Sequence, residues 1–93
     1  MLATIDDNFL DWVYIDGNHR YEFVLKDLQL SARKVRLGGM IAGDDLFWKR
    51  DGRKHVQDAV FDFLQLAGLP RKVDKIGQQF MIPVTEELKS FYL

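Results

Sequence analysis

The sequence predicts an α/β fold: a parallel βαβ unit followed by a helix and a C-terminal β-hairpin, in a single domain over residues 1–93. Three observations predict it. The continuous apolar run Trp12-Val13-Tyr14-Ile15 stops at the turn formers Asp16-Gly17-Asn18. A helical stripe comes next, and after it a second short apolar run, Met40-Ile41-Ala42, stops at Gly43-Asp44-Asp45. Strand, helix and strand in that order over about thirty residues make a βαβ unit, with parallel strands and a right-handed crossover.

The elements follow in chain order. Asp6-Asp7-Asn8 reads as a lead-in turn. Trp12–Ile15, rich in aromatic and β-branched residues and free of charge, reads as a strand buried on both faces. Tyr21, Val24, Leu25, Leu28, Ala32 and Val35 recur every three or four residues, with Glu22, Lys26, Asp27, Gln29, Arg33 and Lys34 between them. That is one apolar face and one solvated face of a helix. Lys34 and Arg36 suit its C-terminus, and Gly38-Gly39 supplies the stop. Leu46 to Arg53 reads as a loop holding Phe47, Trp48 and an Asp51-Gly52 turn. A second amphipathic helix runs from about Lys54 to Ala67, with Val56, Ala59, Val60, Phe63, Leu64 and Ala67 on one face, and Gly68 and Pro70 close it. Lys72–Ile76 and Gln79–Val84 flank Gly77 as a hairpin. Thr85 caps a last short helix with Glu86 and Glu87 in its first turn, where the helix dipole favours acids.

Composition bounds the function. A chain of 93 residues buries a thin core, so modest stability is expected of a monomer. Its 13% aromatic content has two readings, large side chains filling that core or surface rings that meet a partner. The net charge of -1 provides no field to attract nucleic acid or an anionic membrane. Lys49, Arg50, Arg53 and Lys54 are interrupted by Asp51 and read as a solvated loop. The sequence has no cysteine, which excludes disulfides and thiolate metal sites. No apolar run approaches the ~20 residues that span a bilayer, and no signal-peptide pattern opens the chain. A cytoplasmic location is the expectation.

In parallel α/β sheets ligands gather at the carboxyl ends of the strands. Asp16 closes the first strand and Asp44-Asp45 the second. Adjacent strands lie about 4.8 Å apart, so these carboxylates converge on a volume fit for one hard divalent cation such as Mg²⁺. The alternative is that Asp and Gly punctuate strand ends without further role. His19, three residues beyond Asp16, is placed to act as a general base, or simply to cap the helix or face water. His55 has no acid or histidine at ligand spacing and receives no role. Gly38, Gly39 and Gly43 precede or lie within a strand, whereas a phosphate-binding loop follows one, so no nucleotide loop is read.

The segments Asp11-Trp-Val-Tyr-Ile-Asp-Gly-Asn-His-Arg-Tyr21, Val24-Leu-Lys-Asp-Leu28 and Gly38-Gly-Met-Ile-Ala-Gly-Asp-Asp45 resemble one family. It is that of the class I S-adenosylmethionine-dependent methyltransferases, of the metal-dependent macrocin and mycinamicin O-methyltransferase type. The resemblance runs from about Phe9 to Val84 and takes in the second helix and Gly77–Ile82. It implies a partial Rossmann-like methyltransferase fold, the C-terminal half of the family's domain. It also implies Mg²⁺ on Asp16, Asp44 and Asp45, and His19 as the catalytic base. The family holds S-adenosylmethionine on earlier strands, through a glycine-rich turn and an acidic residue whose counterparts would lie before Met1. No cofactor-binding residue is therefore assigned, and the chain is not expected to be catalytic alone. The expectation is a homo-oligomer formed through the open edge of the strand Trp12–Ile15. The alternative is the metal-binding half of a split or longer S-adenosylmethionine-dependent O-methyltransferase, with a separate cofactor-binding polypeptide as partner in the split case.

Overall fold

The computed structural model describes residues 6–16 and 19–92. The expected turn residues Gly17 and Asn18 lie outside the described residues. Seven elements follow one another: β1 (Leu10–Ile15), α1 (Tyr21–Lys34), β2 (Val35–Gly43), α2 (His55–Leu66), β3 (Asp74–Ile76), β4 (Gln79–Pro83) and α3 (Glu86–Tyr92). The strands form one mixed sheet in the order β1-β2-β4-β3. β1 and β2 are parallel, while β4 runs antiparallel to both β2 and β3. This is the α/β, partial Rossmann-like fold that the sequence predicts, with the hairpin docked by its second strand.

The helices owe their place to their apolar faces. α1 buries Val24, Leu28 and Ala32, and α2 buries Val56, Ala59, Val60, Phe63 and Leu64. These side chains meet Ile41 of β2 and Phe80 and Ile82 of β4 in one core. Leu88 and Tyr92 bring α3 into it, where Tyr92 stacks on Phe63 at 4.6 Å and donates its hydroxyl hydrogen to the Phe63 carbonyl at 2.6 Å. Burial of the Tyr92 ring pushes its phenol up to about 12.

Strand alternation then dictates what the other face carries. Trp12, Met40 and Pro83 align across three strands, as do Tyr14, Ala42 and Met81. Trp12 is 60% exposed, Tyr14 39% and Met40 36%. β1 is therefore not the doubly buried strand expected from its composition. It is an edge strand with one face against α1 and the other bare, because a continuous apolar run records only the absence of charge and not which face is covered.

A second departure concerns the end of α1. The helix stops at Lys34 and Val35 is already extended, so the predicted glycine stop at Gly38-Gly39 falls inside β2. Val35 is wholly buried, and extension carries its side chain into the core. The ladder with β1 slips between Leu10↔Val35 and Trp12↔Met40. The Gly38 N–H donates to the Val84 carbonyl, and the Val84 N–H donates to the Gly39 carbonyl, each at 2.9 Å, which ties the irregular stretch to the end of β4.

Candidate functional site

The carboxyl ends of β1 and β2 lie side by side, with Ile15 paired to Gly43. Asp16 leaves β1 there, and Asp44 and Asp45 leave β2. A small cavity of ≈ 10 Å³ sits at this end, lined by Ile15, Asp16, His19, Val24, Asp44, Asp45, Val56 and Phe80. All four residues singled out in the sequence are brought together on one cavity. Its volume is at the threshold for a single water, which needs roughly 10–15 Å³.

Gly43 makes the close approach possible. A Cβ there would collide with the Phe80 ring and stand 3.1 Å from the Ile15 carbonyl oxygen. The glycine lets Phe80 floor the cavity while both strand ends remain in register. Two residues later, Asp45 adopts φ 61°, the left-handed region that Asp tolerates better than most residues. Its N–H donates to Asp44 Oδ1 at 2.7 Å, so the side chain of Asp44 supports the turn that aims Asp45.

Asp45 Oδ2 lies 2.5 Å from His19 Nε2. An ionised carboxylate only accepts, so Nε2 carries the hydrogen in this pair. His19 is thus paired with a carboxylate, while its side chain stays 33% exposed. Trp48, from the loop after β2, stacks on its imidazole at 4.9 Å with 24° between the planes. The same indole meets His55 in a T-shaped contact at 5.8 Å and 65°. His55 is 8% exposed, and its Nδ1 accepts the Tyr21 N–H at 3.2 Å. Reading by ligand spacing gave His55 no role; its partner lies 34 residues earlier in the chain, a relation no local pattern carries.

The basic loop is partly committed as well. Arg53 donates to Asp58 at 2.8 Å and lies over the Tyr21 ring at 4.3 Å, while Lys54 sits over Phe47 at 5.5 Å. Asp51 and Gly52 both take positive φ between the bridged Arg50 and Arg53, the primed geometry of a tight two-residue turn. Lys49 and Arg50 are exposed, as a solvated loop requires.

Electrostatically, the three carboxylates act together on Tyr14. Burial first, and then the charges of Asp44, Asp16 and Asp45, push its phenol up, against a hydrogen bond from Gln79 that lowers it. The charges alone therefore disfavour ionising a hydroxyl at this end of the sheet. The donor chemistry suits a hard cation, since all three acids offer oxygen. The arrangement is not a preformed cage, however. Among the described residues no group of three or more His, Cys, Asp or Glu is placed to hold a metal ion as the side chains stand. The physical reason is local: Asp45 is engaged by His19, and Asp44 by the backbone of Asp45.

The fold is partly Rossmann-like, an architecture in which ligands gather at the carboxyl ends of parallel strands. Comparison narrows the class. Residues 1–46, 46 of the 93, match the model of a family described as a methyltransferase domain. The match takes in β1, α1 and β2 and ends just beyond Asp45, so Asp16, His19, Asp44 and Asp45 all fall within it. The chain is methyltransferase-like over that segment. Comparisons with curated proteins and with solved structures give no match. Among the described residues no helix is long and apolar enough to cross a membrane.

Proposed function

We propose that this chain provides the acceptor-activating end of an S-adenosylmethionine-dependent O-methyl-transfer site. The observation that carries the reading is the convergence of Asp16, His19, Asp44 and Asp45 on one small cavity, inside the segment that is similar to a methyltransferase domain. With the hydrogen on Nε2 held by Asp45, the lone pair of neutral His19 is on Nδ1. That atom takes the proton of an acceptor hydroxyl, and Asp45 stabilises the imidazolium that forms. S-adenosylmethionine, where bound, supplies the electrophilic methyl group.

Asp16 and Asp44 have a different task. A hydroxyl losing its proton beside these carboxylates meets the same unfavourable field that raises Tyr14. A divalent cation held by oxygen ligands reverses that field, and Asp16, Asp44 and Asp45 are the residues that would hold Mg²⁺. Asp45 would have to serve both His19, which it holds here, and such an ion. Turnover is assigned to an assembly in which the cofactor-binding half comes from a separate polypeptide or from a longer chain that includes this segment.

The test is isothermal calorimetry of the purified chain, with Mg²⁺ titrated first and S-adenosylmethionine second. Saturable Mg²⁺ heat that disappears in Asp16→Ala is the expected result. Silence toward both ligands sinks the reading and leaves an oligomeric, non-catalytic protein of methyltransferase-like fold. Tight binding of S-adenosylmethionine to the chain alone would remove the need for a second polypeptide.

A further inference from the structure

The start of α1 has an unusual cap. The first N–H groups of any helix lack intrahelical partners, and a side-chain oxygen of the preceding residue commonly takes one. Here the N-cap is Arg20, and no side-chain cap hydrogen bond is made from that position. The Tyr21 N–H is taken instead by Nδ1 of His55, the first residue of α2. An imidazole nitrogen that accepts must be unprotonated, so His55 is neutral with its hydrogen on Nε2. That Nε2 is buried and has no conventional hydrogen-bond partner. The His55 ring itself meets Trp48 in a T-shaped contact at 5.8 Å.

Trp48 is thus held between two histidines, His55 at its edge contact and His19 at its stacked face. His19 itself lies two residues before the capped amide of Tyr21. Two routes lead from His55 to His19, one through the backbone at the start of α1 and one through the indole.

We propose that His55 and Trp48 are positioning residues for His19. His55 fixes where α1 begins, and Trp48 fixes the plane of the His19 ring so that Nε2 meets Asp45. Neither touches the reacting atoms. The functional meaning of this device rests on His19 being the base of the proposed site, but its geometry is open to test without any turnover.

Three nuclear magnetic resonance readouts on the full chain decide it. In the wild type, the imidazole ¹⁵N shifts of His55 are expected to report the Nε2–H tautomer; an Nδ1–H tautomer overturns the proposal with no variant needed. In His55→Phe, which keeps a ring but removes the acceptor, exchange of the Tyr21 amide is expected to accelerate about three- to tenfold, in line with the loss of one ordinary hydrogen bond. His55→Gln, which retains an acceptor, is expected to restore part of that protection. In Trp48→Ala, the His19 Nε2–H signal is expected to weaken or exchange faster while Tyr21 protection persists. Unchanged Tyr21 exchange in His55→Phe, or an unchanged His19 signal in Trp48→Ala, overturns the corresponding route. Calorimetric silence toward Mg²⁺ and S-adenosylmethionine would refute the proposed function and leave these three readouts untouched.

Discussion

At the scale of single residues, Tyr14 is the internal probe of the candidate site. It is not a ligand, yet its phenol is raised by burial and by Asp44, Asp16 and Asp45 together. In Asp44→Asn the phenol should therefore ionise at lower pH than in the wild type, measured by the phenolate absorbance with Tyr14→Phe as the reference. Saturating Mg²⁺ should move it the same way if the acids take up the ion. An unmoved titration in Asp44→Asn would mean that the carboxylates do not act on one volume. A second carboxylate governs stability. Asp7 is held below its ordinary value of 3.8, chiefly by the hydrogen bond from Lys34 at 2.8 Å, with further help from the charges of Lys34 and Arg33 against some desolvation. Its folded pKa is the lower one, so the unfolded state binds more protons between the two values. The contribution is complete above pH 3.8 and is lost as pH falls through the folded value. Acidification also strips the partner from Lys34, which is 8% exposed. Asp7→Asn should be less stable at neutral pH and should show a shallower acid limb, read from urea midpoints between about pH 5 and about pH 2. The site residues were legible because Asp16, His19, Asp44 and Asp45 each stand within a few positions of a strand end. Trp48 and His55 were not, because their roles are contacts between a loop and two helices that share no sequence spacing.

Elements were legible in kind and less so at their ends. The stripe from Tyr21 to Ala32 specifies a helix without ambiguity, and Gln79–Pro83 paired with Asp74–Ile76 is the hairpin that Gly77 announces. The end of α1 was misread because its terminating device is tertiary. Lys89 of α3 donates from Nζ to the carbonyls of Ala32, Arg33 and Val35, at 2.9, 3.1 and 2.9 Å. Those are carbonyls a helix terminus leaves unpaired, and a cation there also meets the negative end of the helix dipole. The glycines downstream were then free to serve the ladder irregularity. Thr85 does start α3, through its carbonyl to the Lys89 N–H at 3.0 Å and a long contact of its hydroxyl oxygen with the Leu88 N–H at 3.4 Å. Lys89→Met keeps the aliphatic stem and removes the donors. It should cost about 2 kcal/mol, the scale of hydrogen bonds to a charged group, measured by urea denaturation. Lys89→Arg should recover part of the loss. A variant as stable as the wild type would show that water serves these carbonyls equally well.

At the scale of the whole molecule, the sheet is covered on one face and open at β1. The open edge at Trp12–Ile15 was expected from the family resemblance, and β1 does lie at the sheet edge. The bareness of the face carrying Trp12 and Tyr14 was not read, because a continuous apolar run does not record which face is covered. Trp12 and Tyr14 stand on the bare face of the edge strand, which also presents unpaired backbone groups. Backbone groups of this kind select a β-strand as occupant, and side-chain parity limits the register. An antiparallel pairing of two β1 strands must place bare-face residues opposite bare-face residues. Centred on Val13, it sets Trp12 opposite Tyr14 of the second copy, twice over, an aromatic cross-strand pair of the stabilising type. The single charge in the strand, Asp11, is already bound by Arg36 at 2.6 Å, so no like charges are brought together. We predict a homo-oligomer built on this edge. Sedimentation velocity at micromolar concentration should show a dimer or larger species, and the double substitution Trp12→Lys and Tyr14→Lys should convert it to monomer while leaving the helical circular dichroism intact. A wild type that sediments only as monomer removes this edge as a self-association surface and leaves Trp12 and Tyr14 as surface rings for a different strand, such as one from a cofactor-binding polypeptide.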